Sequence, residues 1–111
     1  MSLRYDLSGV AGFDQEFDFA LTYAGVPLNV TGYTLTLYLK ASATTPDSRA
    51  TVYGEGTGLT VTGATAGEFT WTAPAADVAV DAPGALWYRV DVTGSGSPQP
   101  AMFGVLNLTA A

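Results

Sequence analysis

Phe17, Phe19, Leu21 and Tyr23 alternate with Asp18, Ala20 and Thr22. Period-two alternation places the first set on one face of a β-strand and the second on the other. Ala24-Gly25 supplies a turn, and Val26 to Val30 is a short extended piece. Pro27 lacks a backbone N–H, so this piece belongs at a sheet edge. Tyr33, Leu35, Leu37 and Leu39 then alternate with Thr34, Thr36, Tyr38 and Lys40, the cleanest strand in the chain. Ala41 to Asp47 is small and polar and reads as a loop, followed by a modest strand over Arg49 to Tyr53. Gly54, Gly56 and Gly58 read as a flexible connection.

Leu59 to Thr62 is a short strand, Gly63 to Gly67 a turn, and Glu68 to Thr72 a strand with Phe69 and Trp71 inward. Ala73 to Val78 is the one helical turn expected, because Pro74 suits a first helical turn and Ala is the best helix former. After the turn at Ala82-Pro83-Gly84, the residues Leu86, Tyr88, Val90 and Val92 alternate with Trp87, Arg89 and Asp91 in a long strand. A loop over Gly94 to Pro98 leads to a closing strand from Ala101 to Thr109. The expected fold is all-β: one antiparallel immunoglobulin-like sandwich of about seven or eight strands over residues 1–111, with 1–12 a loose N-terminal arm. Phe19, Leu21, Leu35, Leu37, Phe69, Trp71, Leu86, Tyr88 and Val90 form its expected core.

Composition narrows the chemistry. The 111 residues include no histidine and no cysteine, only four basic side chains, and a net charge of −6. Nucleophilic triads lack a base, and disulfides and thiolate metal sites are excluded. Arg4, Lys40, Arg49 and Arg89 are dispersed, so neither nucleic acid nor an anionic membrane surface is an expected partner. The longest apolar runs fall far short of the roughly 18–20 residues a membrane helix needs. The low charge suits a subunit of a larger assembly.

Candidate sites are few. Asp77 and Asp81 are the nearest loop carboxylates, and both read as solvated turn formers rather than an acid–base pair. Asp14, Glu16 and Asp18 project from one strand face, but alternate positions lie roughly 6.5–7 Å apart, too wide to share one ion without another segment. They read as an exposed acidic ridge that discourages unwanted edge pairing. Gly54-Glu55-Gly56-Thr57-Gly58 lacks the Lys, the spacing and the following helix of a phosphate loop. No catalytic residue, metal site or cofactor is expected, and the chain does not read as an enzyme. Parity turns Trp87 and Arg89 outward, and the same argument exposes Tyr38. Exposed aromatics beside Arg are enriched at interface hot spots, and these three are the candidate interface. Aromatics so placed also suit stacking on sugar rings, which makes a carbohydrate-binding module the alternative.

The segment Phe19-Ala20-Leu21-Thr22-Tyr23-Ala24-Gly25-Val26-Pro27-Leu28-Asn29-Val30-Thr31-Gly32 resembles the opening hairpin of the immunoglobulin-like domains of phage baseplate upper proteins and related tail proteins. Ala64 to Trp71 resembles the Gly-led middle strand of that family, and Ala75-Ala76-Asp77 followed by Pro83-Gly84 resembles its short helical turn and next strand opening. The resemblance runs from about Gln15 to the end of the chain. It implies an immunoglobulin-like sandwich with a structural role in a phage or prophage tail or baseplate, acting by docking or oligomerisation. The partners it implies are other phage structural proteins and further copies of the chain. The implied location is the virion tail, or the host cytoplasm during assembly. It carries no catalytic residues.

Overall fold

The alternating runs become the strands that carry the core. The computed structural model describes residues 3–10, 12–23, 25–42, 44–78, 84–94 and 99–109. Its strands are β1 Leu3–Arg4, β2 Leu7–Val10, β3 Gln15–Ala20, β4 Thr22–Tyr23, β5 Val26–Pro27, β6 Thr34–Lys40, β7 Thr51–Glu55, β8 Gly58–Gly63, β9 Glu68–Ala73, β10 Gly84–Thr93 and β11 Gln99–Thr109. Short 3-10 turns lie at Asp47–Arg49, Ala64–Ala66 and Ala75–Val78, the last within the expected helical turn. The expected turns at Ala82-Pro83 and Ser95–Pro98 lie outside the described residues.

All nine expected core residues are buried, joined by Leu59, Leu106 and Leu108. Phe19 stacks on Phe69 with centroids 4.9 Å apart, and Tyr53 meets Trp71 edge-on at 5.4 Å. Each such side chain contributes roughly 1.5–3 kcal/mol on leaving water, which is why parity alone pins these strands. Tyr33 departs from the pattern. It precedes β6, its N–H donates to the Val30 carbonyl, and its ring is exposed.

The topology differs from a purely antiparallel sandwich. Nine strands form one hydrogen-bonded sheet in the order β1-β11-β10-β6-β7-β8-β9-β3, with β2 also paired to β11; β4 and β5 make a separate ribbon. The pairings β1–β11, β2–β11 and β7–β8 are parallel. Residues 1–12 were expected as a loose arm, yet Leu3–Arg4 and Leu7–Val10 lie along β11 in a single register, Leu3 beside Met102 and Leu7 beside Leu106. They form one interrupted edge strand, fixed by burial of Leu7.

The second correction concerns Gly54 to Gly58. This is a braced corner rather than a flexible connection. Gly54 N–H donates to the Thr57 carbonyl, Thr57 N–H to the Gly54 carbonyl, and Gly56 N–H to the Leu59 carbonyl. The chain steps sideways there, so that Gly54 lies beside Gly58 in parallel register. Gly58 has φ +101°, and a Cβ at this position would run into the Tyr53 ring, so the corner demands glycine.

The sheet rolls over its core until its two ends approach. Among the described residues β3 pairs only with β9, and no ladder joins it to β1 or β2. Side chains bridge the gap instead: the Tyr5 and Phe19 rings meet edge-on at 6.3 Å, and Gln15 Nε2 donates to the Val10 carbonyl at 2.9 Å. The result is a nearly closed, mixed barrel with a seam between β3 and the N-terminal strand.

Candidate functional site

The outward face of β6, β10 and β11 gathers the residues that parity exposed. Register sets Arg89 between Tyr38 on β6 and Phe103 on β11, and Tyr38 in turn beside Val52 on β7. A second row places Trp87 between Lys40 and Val105. The face is therefore a patch of aromatic and aliphatic groups with cations set among them. Trp87, Tyr38 and Arg89 all lie on it, half-buried rather than fully exposed.

Arg89 organises this face. Its guanidinium donates to both Asp47 oxygens, at 3.2 and 2.9 Å, and to both Asp91 oxygens, at 2.8 and 3.1 Å. It also lies over the Tyr38 ring, 4.6 Å from the centroid. Lys40 Nζ reaches Asp47 at 2.5 Å. Bidentate pairing of this kind holds geometry as well as energy. Among the described residues Asp91 is the one buried acidic side chain, 5% exposed, and the fork of Arg89 satisfies both of its oxygens. Hydrogen bonds from Arg89, and then from Lys40, pull the Asp47 carboxyl down to about 2. Donating to Asp47 in turn raises the Arg89 pKa. At the far side of the face, the Arg4 guanidinium stands 5.9 Å from the centre of the Trp87 ring.

Sequence reasoning found Trp87, Arg89 and Tyr38 but missed the groups that hold them. Asp91 shares the parity of Arg89 two positions away, a signal that was present. Asp47 is 42 residues from Arg89, on a 3-10 turn, and carries no local signal.

The acidic candidates are put to structural use. Asp14 Oδ1 accepts the Ala75 N–H at 2.8 Å, and Asp18 Oδ1 accepts the Thr70 hydroxyl at 2.8 Å. Tyr53 donates its phenol to Asp77 at 2.5 Å. Burial first, and then this contact with the carboxylate, push the Tyr53 pKa upward. Asp81 lies outside the described residues. Among the described residues, no three acidic side chains are gathered closely enough to hold a metal ion.

No protein-family model matches the chain, and no curated protein matches its sequence. Among solved structures, the chain is similar to the N-terminal domain of phage TP901-1 ORF48, with a TM-score of 0.59 and 12% identity, covering 97% of this chain and 98% of that one. Likeness at that identity shows a shared fold over nearly the whole of both chains.

Proposed function

We propose that the chain is a structural module of a phage or prophage tail or baseplate. In this reading it works by docking through the outward face centred on Trp87, Arg89 and Tyr38. The observation that carries the proposal is the Asp47–Arg89–Asp91 clamp, which fixes an aromatic surface in place before any partner arrives. Preorganised aromatic and Arg side chains lose little entropy on association. The fold likeness to a phage protein's N-terminal domain and the motif resemblance in the sequence support the same reading.

The immunoglobulin-like description belongs to this proposal too. β7 meets β8 through only the Gly54–Gly58 and Glu55–Leu59 pairs, so the sheet hinges there into two layers. Rings from the two layers meet in the core, Tyr88 lying 5.9 Å from Phe19 and 6.2 Å from Trp71. In this view the module sits in the virion tail and meets other phage structural proteins and further copies of itself.

The sugar-binding alternative is disfavoured by geometry. Arg89 stands over Tyr38 and Arg4 over Trp87, so neither ring offers the bare platform on which a sugar stacks. Co-expression with the proteins encoded beside its gene tests the docking proposal. The wild-type chain is expected to co-purify with at least one of them, and Trp87→Glu to abolish this without loss of fold. A chain that stays monomeric and binds none of them overturns it, as does glycan binding that depends on Trp87.

A further inference from the structure

The seam between β3 and the N-terminal strand lies apart from the clamp face and independent of the function proposed above. Leu21 N–H donates to the Gly67 carbonyl. The alternation of an antiparallel ladder then turns the backbone N–H and C=O groups of Glu16, Asp18 and Ala20 away from β9, toward the unpaired side. Beside them an open hollow of ≈ 340 Å³ is lined by Tyr5, Asp18, Phe19, Ala20 and Met102. Its walls come from both ends of the sheet. Gln15 pins the seam shut at the Val10 end, so the hollow sits where the two ends diverge.

Charge defines what fits. Glu16 and Asp18 stand exposed on the outer face of β3, and Glu68 is opposite Ala20 on β9. Arg4, Lys40 and Arg89, three of the four basic side chains, are already paired with acids of the same chain. A second copy, itself at −6, therefore has little positive charge to bring. An acidic, hydrogen-bonding edge beside an apolar hollow calls for an extended segment that alternates apolar and basic residues.

We propose that this seam is a strand-addition site for such a segment of another protein. The segment pairs with the free edge of β3 and sets one apolar side chain into the hollow against Tyr5, Phe19 and Met102. Its Lys or Arg residues face Glu16, Asp18 and Glu68. Main-chain pairing supplies affinity in this mode, and alternate side chains supply specificity.

Selection from a random ten-residue peptide library on the intact chain tests the proposal. The expected outcome is enrichment of sequences with Lys or Arg at alternate positions around an aliphatic residue. The bound peptide should slow amide exchange at Glu16, Asp18 and Ala20 by more than tenfold. The charge reversal Glu16→Lys, which leaves the core untouched, should weaken binding at least tenfold with an unchanged melting profile, and Asp18→Lys should weaken it likewise while also losing the bond from Thr70. Failure to enrich any sequence overturns the proposal. So does enrichment of neutral or acidic peptides, binding indifferent to both reversals, or self-association through β3.

Discussion

The phenol of Tyr88, on β10, donates its hydrogen bond to the backbone carbonyl of Tyr5, in the break between β1 and β2. Tyr5 N–H pairs normally with the Phe103 carbonyl. Its own carbonyl instead turns to the phenol, and Asp6 Oδ1 takes the Val105 N–H at 3.0 Å. The N-terminal strand is thus fastened to the core by a side chain at the point where its ladder lapses. Tyr88→Phe keeps the ring and removes the donor, stranding the carbonyl. The expected cost is ~1–3 kcal/mol. Urea denaturation checks the cost, and faster amide exchange at Tyr5 and Leu7 than in the rest of the sheet checks its location.

Gly104 faces the same carbonyl. A Cβ there would overlap the Tyr5 oxygen and press within 3.0 Å of the Tyr88 ring. Gly104→Ala is expected to destabilise by ~1–3 kcal/mol, as overpacking does, and to displace the N-terminal strand. Thermal melts of Gly104→Ala and Tyr88→Phe, singly and together, check this. Both act on one contact, so the double variant should lose less than the sum.

Arg89 is the sole hydrogen-bonding partner of the buried Asp91 carboxylate among the described residues. Arg89→Ala leaves that charge unpaired and is expected to cost ~2 kcal/mol, below the range for fully buried pairs because Arg89 is partly exposed. Adding Asp91→Asn to Arg89→Ala removes the stranded charge and should recover at least half of the loss. Chemical denaturation at neutral pH measures both.

Asp47 supplies a pH dependence whose sign is fixed. Its carboxyl titrates at about 2 in the folded chain against 3.8 for the ordinary value. The unfolded state therefore binds its proton first, and the stabilisation is present above pH ~4 and lost as pH falls toward ~2. Asp47→Asn should lower stability most at neutral pH and least near pH 2, which flattens this part of the stability curve. Melting temperatures taken between pH 2 and pH 6 check it.

Tyr53 and Tyr88 are both held neutral well above the ordinary phenol range, chiefly by burial. Stability from these groups is complete below pH ~10 and lost as pH climbs above it, where the unfolded chain ionises first. Alkaline titration followed by phenolate absorbance should show a late fraction that appears only with unfolding. That fraction should shrink in Tyr53→Phe and in Tyr88→Phe.

What was legible in the sequence was local. Alternation placed Phe19 and Leu21, Leu35 and Leu37, Phe69 and Trp71, and Leu86, Tyr88 and Val90 inside, because a strand's faces depend only on its own residues. Which strand lies beside which depends on distant chain, and that is where the expectation departed from the fold. The Leu3-Arg4-Tyr5-Asp6-Leu7 run does alternate, but so short a run carries no signal of the distant strand, β11, that it lies along. The Gly54–Gly58 corner looked like slack because glycine signals freedom of backbone, not the braced bend that uses it. The clamp was half visible: parity showed Arg89 facing out, while Asp47 arrives from a separate turn.

In the docking proposal, the face bearing Trp87 and Tyr38 is what this protein presents to its neighbours. Oxidative footprinting of the chain, free and within its assembled complex, tests this most directly. Trp87 and Tyr38 are expected to become protected on assembly while Val26, 63% exposed on the separate ribbon, keeps its reactivity. Unchanged labelling of Trp87 and Tyr38 in a complex that demonstrably contains the chain would contradict it.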